Sequence, residues 1–283
     1  MTRPNFLVLG TPRSATTWLH TVLSTHPNIF IAPMKEPEFF SYDNRFKKGM
    51  DWYSTLFEGA KDEKRIGEVS VNYFFDKRAP KRIKESLGNI SNLKLIVLLR
   101  EPIDRARSHY TLRMQKGEAP LSFEKALDDP KLPLRKEGHY ITYYRRYLEH
   151  FNKDQIGIFL YKDIRNDPRF VLQDICTFLE VDPAFFNTYN NTKVNESYAV
   201  RFPCLSWTLG KLARVIRFFL PYGNIGERIR SIIQTLNRRW NRKRGKVPIK
   251  EETLKTLTNE YKDNNKLLAK EAEIDVTAWD YNN

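Results

Sequence analysis

Short apolar runs alternate with helical patterns over the first 180 residues of the chain. The runs have the length of buried strands, whereas the segments between them carry apolar residues three or four positions apart. Strands are predicted at residues 6–9, 29–32, 65–69, 93–99 and 156–161, and helices at residues 51–57, 80–87, 140–151 and 170–180, with two more that begin after residue 17 and at Pro102. This alternation predicts an α/β fold, in which a central parallel sheet is flanked by helices on both faces.

The pattern changes beyond residue 200, where basic residues dominate. Residues 201–250 contain thirteen Lys and Arg residues and one acidic residue, so they carry +12 of the net charge of +14. A predicted helical stripe in this segment consists of Leu209, Leu212, Ile216, Phe219 and Leu220. The sequence of residues 250–270 predicts a final surface helix. We expect a single domain over residues 1–283, with an α/β core at 1–200 and a basic helical cap at 201–283.

Two interpretations of the basic segment remain open. The stripe is typical of a helix that packs on the main domain and leaves a solvated basic face. Alternatively, the segment is a mobile cap that closes over a ligand, or that contacts an anionic or membrane-bound acceptor. The positive charge predicts anionic partners in either case.

The turn after the first strand has the composition of an anion-binding site. Gly10 ends the apolar run, and a helix begins shortly afterwards. The backbone N–H groups at a helix N-terminus and the helix dipole both attract an anion. A cation and several hydroxyl groups lie in the intervening turn, Thr11-Pro12-Arg13-Ser14-Ala15-Thr16-Thr17. The turn therefore predicts a phosphate-type site.

This turn differs from the phosphate loop of nucleotide hydrolases, G-x-x-x-x-G-K-[ST]. Alignment on Gly10 places Ala15 at the second glycine and Thr16 at the lysine, while the cation lies three positions earlier, at Arg13. The clearest predicted strand ends in Arg100 instead of a metal-binding Asp. A nucleotide kinase or NTPase is thus the disfavoured alternative, and the pattern indicates group transfer without a metal.

Four segments together carry a resemblance to one known family. They are GTPRSATTWLHTVL at residues 10–23, KEPEFF at 35–40, GEVSVNYF at 67–74 and LLREPIDRARSHY at 98–110. The first resembles the 5′-phosphosulfate loop of sulfotransferases that use 3′-phosphoadenosine 5′-phosphosulfate (PAPS), and the last resembles their 3′-phosphate motif. The other two are similar to segments of the heparan-sulfate and bacterial members. The family's order and spacing are kept within residues 5–185.

The resemblance implies a P-loop-type sheet and a PAPS-dependent transferase that needs no metal. The candidate nucleotide contacts are Arg13, Ser14, Ala15, Thr16, Thr17, Trp18, Arg100, Ser108 and Arg201. Arg13 would stabilise charge on the leaving phosphate, and its role is electrostatic because arginine does not donate a proton at neutral pH. Arg100 and Ser108 would hold the 3′-phosphate, and Trp18 would stack on adenine. Arg201 is a late third contact, with residues 244–246 as its alternative.

Glu36 is the predicted general base, because it aligns with the catalytic glutamate of the heparan-sulfate branch. It would take the acceptor proton as the bond to sulfur forms in an in-line transfer. Glu38, His109 and His20 are alternatives. The acceptor is expected to be a hydroxyl, or an amine, of a small molecule, carbohydrate or lipid.

Two positions depart from the family pattern. Ala15 replaces the usual glycine of the loop, which predicts a modest change at the start of the helix. Val69 stands where the heparan-sulfate enzymes carry an active-site lysine, and this disfavours a heparan-type acceptor.

Further features bear on location and on other functions. Cys176 and Cys204 form neither a disulfide framework nor a metal-ligand pattern. A leader segment and a membrane-length apolar run are both missing from the pattern, so a cytoplasmic location is expected. A nucleic-acid-binding protein is the third function class, but the basic segment lacks interleaved aromatic residues on a known module, so no nucleic-acid partner is expected.

Overall fold

The computed structural model describes residues 2–90, 92–190, 199–219, 232–233, 235, 241–243 and 245–279. The strands are β1 (Phe6–Gly10), β2 (Ile29–Ile31), β3 (Arg65–Val69), β4 (Lys94–Leu99), β5 (Ile156–Leu160), β6 (Ala199–Val200) and β7 (Arg242–Lys243). The α-helices are α1 (Thr16–Leu23), α2 (Asp43–Phe46), α3 (Gly49–Thr55), α4 (Ala79–Leu87), α5 (Pro102–Gln115), α6 (Phe123–Leu127), α7 (Tyr140–Leu148), α8 (Tyr161–Asn166), α9 (Pro168–Phe178), α10 (Pro203–Phe219) and α11 (Glu251–Ala272).

Strands β1 to β5 form one parallel sheet in the order β2-β3-β1-β4-β5. Leu7 and Leu9 of β1 face one apolar core, whereas Phe6 and Val8 face the other. Helices α4 and α7 contribute to the first core, and α1 and α9 contribute to the second. Because both faces are covered, β1 and β2 are apolar and β4 is apolar after Lys94, whereas β3 also contains Arg65 and Glu68. The predicted α/β class is confirmed, as are all five predicted strands of the sheet.

The chain divides into two compact units that draw on interleaved segments. The first unit consists of Met1–Glu101, Tyr140–Asn195 and Asn264–Trp279, and it contains the five-stranded sheet. The second unit consists of Pro102–His139, Glu196–Asp263 and Asp280–Asn283. The expected single domain, with its core at 1–200 and its cap at 201–283, stays a prediction.

The second unit has its own apolar core and a buried ion pair. The core joins α5, α6 and the beginning of α11, and its larger members are Ile103, Tyr110, Met114, Phe123, Leu257 and Tyr261. Beside it, Arg105 Nη1 lies 2.8 Å from a carboxylate oxygen of Glu137, and both side chains are buried. A buried charge is tolerated only when it is paired and hydrogen-bonded, and Arg105 also donates to the Leu134 carbonyl at 2.9 Å.

Helix α10 packs on α5 with small residues at the contact. Ser206 and Ala213 are buried, and a Cβ on Gly210 would lie 2.5 Å from the Gln115 carbonyl oxygen. Leu212 of the predicted stripe is 49% exposed, so it does not contribute to this packing. The helix backbones approach so closely at Gly210 that only small side chains fit between them, and Leu205, Leu212 and Val215 are about half exposed. Leu220, the last residue of that stripe, lies outside the described residues.

Gly10 provides a test of the junction between β1 and the turn. It has φ 136°, and an added Cβ would lie 2.5 Å from the Val71 carbonyl oxygen. Gly49 also has positive φ, 79°, but a Cβ there would meet nothing within 4 Å. We expect Gly10→Ala to lower the free energy of unfolding by more than about 2 kcal/mol and Gly49→Ala by about 1 kcal/mol. Urea denaturation measures both, and equal losses would contradict a steric requirement at Gly10.

Candidate active site

The four segments singled out in the sequence follow four neighbouring strands. The turn at residues 11–17 follows β1, and the KEPEFF segment follows β2. The GEVSVNYF segment ends β3 and continues beyond it, and Arg100 follows β4. Because the strands are parallel, their carboxyl ends lie at one edge of the sheet, where ligands of open α/β sheets bind. Segments far apart in sequence thus meet at one edge.

The turn after β1 is fixed to β4 by Thr11. The Thr11 N–H group donates to the Leu98 carbonyl at 2.9 Å, and its hydroxyl donates to the same oxygen at 3.0 Å. The hydroxyls of Thr11 and Ser14 lie 2.8 Å apart, and both side chains are buried. The turn is therefore held to the sheet by its own polar groups before any ligand binds.

The backbone of this turn takes two left-handed residues in close succession. Arg13 has φ 73° and Ala15 has φ 70°. Ala15 is the N-cap of α1, and no side chain caps the helix. The N–H groups of the first helical turn can then donate to an anion. A left-handed alanine costs about 1 kcal/mol, which gives a physical reason for the glycine usual at this position.

The hydroxyl candidates differ in how accessible they are. Ser14 and Thr16 are buried, whereas Thr17 is exposed. Trp18 is 7% exposed, and its Nε1 donates to the Tyr189 hydroxyl at 3.0 Å. The Trp18 ring belongs to the apolar core that α1 shares with the sheet. Its stacking on adenine stays a prediction.

Arg100 is joined to the turn at residues 11–17, which is called the anion turn below. Its Nη1 donates to the Arg13 carbonyl at 3.2 Å. The Arg100 guanidinium carbon lies 4.5 Å from the centre of the Tyr161 ring, and the Arg100 carbonyl accepts from the Tyr140 hydroxyl at 2.8 Å. The Arg100 side chain is buried, whereas that of Arg13 is half-buried. Two arginines therefore belong to the same carboxyl edge of the sheet.

Ser108 and Arg201 belong to the second unit. Ser108 is buried in α5. Arg201 is exposed, and its guanidinium carbon lies 5.5 Å from the centre of the Phe202 ring. The assignment of both residues to the nucleotide stays a prediction.

Glu36 has an accessible carboxylate in the KEPEFF turn. Its side chain is 31% exposed, and its Oε1 lies 2.9 Å from Lys35 Nζ. The neighbouring ammonium compensates the charge of the carboxylate. This arrangement leaves Glu36 able to meet a substrate group.

Glu38 is held quite differently, although it is only two residues away. It is 5% exposed, and its Oε1 accepts from the Asn72 N–H at 3.2 Å and from Asn72 Nδ2 at 2.9 Å. Burial, followed by the charge of Glu36, raises the pKa of Glu38 to about 7, and the nearby Ser41 hydroxyl and Asn72 partly oppose this rise. Its carboxyl is thus bound to the protein instead of facing outward.

A second buried carboxyl, Glu68, lies at the end of β3. It accepts from the Tyr53 hydroxyl at 3.2 Å and from the Ser70 hydroxyl at 2.8 Å. Burial raises the pKa of Glu68 to about 8; the hydroxyl groups around it oppose the rise, and the charge of Glu38 adds to it. Burial thus raises the pKa of both carboxyls held inside this edge of the sheet.

The histidines proposed as alternative bases have structural partners. His109, in the second unit, accepts from Arg113 Nε at 3.2 Å through its Nε2, and its Nδ1 lies 3.6 Å from a Glu137 oxygen. Burial lowers the pKa of His109. His20, in the first unit, has a ring nitrogen 3.2 Å from the Ala32 carbonyl. Neither geometry favours a base that faces a substrate.

Four residues that shape the site could not be singled out from the sequence. Thr11 is part of the turn, but its bonds to β4 depend on strand pairing. Glu68, Ser70 and Asn72 lie in the GEVSVNYF segment, which was noted only as a landmark. The polar residues in that otherwise apolar segment were the available signal.

The described part of the chain shows neither a metal-binding cluster nor a membrane-spanning helix. It contains no group of three or more His, Cys, Asp or Glu residues placed to hold a metal ion. None of its helices combines the length and the apolar character required to cross a bilayer. The cytoplasmic location stays a prediction.

Comparisons with known proteins point to one family. The family model described as the sulfotransferase domain matches residues 3–198. The bifunctional heparan sulfate N-deacetylase/N-sulfotransferase 4 of Mus musculus is 30% identical over 202 residues, which are 64% of this chain and 23% of that protein. The chain thus spans about a quarter of that relative. The heparan sulfate glucosamine 3-O-sulfotransferase 5 of Mus musculus is 26% identical over 246 residues, 77% of this chain and 70% of that protein.

A solved structure shares the fold over nearly the whole chain. The crystal structure of a sulfotransferase from Alicyclobacillus acidocaldarius is 24% identical and has a TM-score of 0.72, with 99% of each chain covered. At this identity the likeness establishes the fold alone. The match over residues 3–198 confirms the resemblance found in the sequence, and the chain belongs to the sulfotransferase domain family.

Proposed function

We propose that the protein transfers the sulfuryl group of PAPS to a hydroxyl or an amine of a small-molecule, carbohydrate or lipid acceptor. Family membership supports sulfuryl transfer in general. The observation that carries the proposal is the meeting of the anion turn, Arg100 and the KEPEFF turn at the carboxyl edge of one sheet. The named heparan-sulfate relatives transfer to amines or hydroxyls, and this range sets the acceptor classes to be tested.

The anion turn and the arginines serve the nucleotide. Backbone N–H groups at the start of α1 bind the sulfated end, and Arg13 stabilises negative charge that grows on the leaving phosphate oxygen. Arg100, with Ser108 as its predicted helper, binds the 3′-phosphate. PAPS supplies the sulfuryl group: a bond from sulfur to the acceptor atom forms, the bond from sulfur to the phosphate oxygen breaks, and PAP leaves with the electron pair.

Glu36 serves the acceptor. Its partly exposed carboxylate takes the acceptor proton as the new bond to sulfur forms. Glu38 is the less suitable base, because its Oε1 is occupied by Asn72 and its side chain is buried. The proposal therefore separates the roles of the two glutamates: Glu36 acts on the substrate, and Glu38 holds the turn.

The function is tested by incubation with sulfur-labelled PAPS and a panel of sugars, glycolipids, phenols, alcohols and amines in the presence of a chelator. We expect label to move to one acceptor class with equimolar release of PAP. Arg13→Ala should reduce the rate by at least about 100-fold, because it removes a charge that acts in the transition state. The matched control is Arg3→Ala, which removes an exposed arginine before the amino end of β1 and should leave the rate unchanged.

The alternative function, a nucleotide kinase or NTPase, predicts the opposite result in this assay. Magnesium-dependent ATP hydrolysis without transfer of label from PAPS would overturn the proposed function. An unchanged rate in Arg13→Ala would remove Arg13 from the mechanism while leaving the activity itself in place.

Glu36→Gln tests the base. We expect turnover to fall about 10²- to 10⁴-fold, with the affinity for PAP changed less than about twofold, because the nucleotide does not depend on the base. The fall in rate that protonation of a base causes toward low pH should also disappear in the variant. Steady-state rates across pH and calorimetric titration with PAP measure these effects. Glu58→Gln, at an exposed glutamate, is the control, and wild-type turnover in Glu36→Gln would place the base elsewhere.

We also propose that α10 contacts an anionic lipid surface. Its outward face carries Leu205, Leu212 and Val215, which are about half exposed, with the exposed Lys211 beside them. The segment 201–250 carries +12, which complements anionic lipid headgroups. Apolar residues that insert into the boundary of the lipid tails, with basic residues at the headgroups, are typical of interfacial helices.

Co-sedimentation with phosphatidylcholine vesicles, with and without phosphatidylserine, tests this contact. We expect binding only to the anionic vesicles, and a loss of about tenfold in the double variant Leu205→Ser and Leu212→Ser. Leu121→Ser changes another exposed leucine of the second unit and should bind as the wild type does. Absence of binding, equal binding to both vesicles, or equal losses in the two variants would contradict the proposal.

A further inference from the structure

A buried hydroxyl connects the KEPEFF turn to β3. The Ser70 oxygen accepts a hydrogen bond from the Glu38 backbone N–H at 2.9 Å and lies 2.8 Å from Glu68 Oε2. Ser70 and Glu68 are both fully buried. Because an N–H group can only donate, the Ser70 hydroxyl hydrogen is available to Glu68, and the carboxyl fixes its direction.

A second connection holds the side chain of the same residue. Both the backbone N–H and the amide of Asn72 donate to Glu38 Oε1, at 3.2 and 2.9 Å. Glu38 has φ 51°, a left-handed conformation that costs free energy in a residue with a Cβ. Its conformation therefore needs support from outside the turn, and Ser70 and Asn72 provide it at the backbone and at the carboxyl.

The rest of the turn is anchored beyond Glu38. Phe39 and Phe40 are fully buried, and the Phe39 ring stacks on Tyr53 with centroids 4.4 Å apart. Glu36 lies on the other side of Glu38, and its carboxylate is partly exposed. Only the buried Pro37 separates Glu38 from Glu36, so the backbone at Glu38 limits where the Glu36 carboxylate can reach.

We propose that Ser70 and Glu68 are positioning residues for the general base: Glu68 orients the Ser70 hydroxyl, Ser70 holds the Glu38 backbone, and this bond sets the turn that presents Glu36 to the acceptor. The inference rests on the proposed role of Glu36. It assigns Glu68 a task that differs from proton transfer to substrate, since its carboxyl is fully buried.

Tyr53 provides a matched control within the same cluster. Its hydroxyl donates to Glu68 Oε1 at 3.2 Å, while the Ser70 hydroxyl lies against Oε2. Ser70→Ala and Tyr53→Phe each remove one hydroxyl next to the same buried carboxyl. Only Ser70→Ala removes the link to Glu38. A difference between the two variants therefore reports the link and not the loss of a hydrogen bond to Glu68.

The test compares the two variants in the full chain. We expect Ser70→Ala to lower kcat at least about tenfold while the affinity for PAP stays within about twofold, and Tyr53→Phe to keep kcat within about twofold. Amide hydrogen exchange at Glu38 should become at least about tenfold faster in Ser70→Ala and stay unchanged in Tyr53→Phe. Equal losses of kcat in the two variants, or an unchanged exchange rate in Ser70→Ala, would overturn the positioning role.

The exchange measurement separates this inference from the proposed function, because it requires no substrate. A wild-type protein without transferase activity would overturn the proposed function. Amide hydrogen exchange at Glu38 that stays slow in Ser70→Ala would instead overturn the proposed chain of hydrogen bonds. If Ser70→Ala does not fold, Glu68→Gln replaces it. The side-chain amide introduced by that substitution has one acceptor oxygen for the hydroxyls of Tyr73, Ser70 and Tyr53, so Glu38 exchange should again become faster, and an unchanged rate would again overturn the inference.

Discussion

The site depends on the parallel pairing of β1 with β4, which continues into the turn through Thr11. The Thr11 N–H group bonds to the Leu98 carbonyl at 2.9 Å, and its hydroxyl bonds to the same oxygen. These bonds set the turn so that the first N–H groups of α1 and the arginines occupy one edge of the sheet. Without the strand pairing, the turn would be a polar loop with no fixed direction.

The same edge carries the arginines and the carboxyls that the proposed function uses. In the strand order β2-β3-β1-β4-β5, the segments after β1 and β4 carry Arg13 and Arg100, whereas the segments of β2 and β3 carry the carboxyls. Cations suit a nucleotide with phosphate and sulfate groups, and carboxyls suit the removal of a proton from an acceptor. Among those carboxyls, Glu36 is accessible and Glu38 and Glu68 are buried. Burial thus distinguishes the proposed base from the groups proposed to hold it in place.

Much of the fold could be predicted because its strands are buried on both faces. An apolar run such as residues 93–99 has few alternatives to a central strand, and β4 begins one residue later than predicted. The packing of α10 could not be predicted from its apolar stripe, because the close approach at Gly210 left Leu212 outside. Likewise, the family motifs pointed to Glu36 and Arg100, but they did not reveal Ser70 or Thr11. Those two residues act through hydrogen bonds to segments that are distant in sequence.

Calorimetric titration of the purified protein with PAP, in buffer that contains a chelator, tests the central claim most directly. The account predicts one binding site per chain whose affinity does not depend on magnesium, because arginines and helix N–H groups provide the positive charge. Absence of binding by well-folded protein, or binding that requires a metal ion, would contradict it.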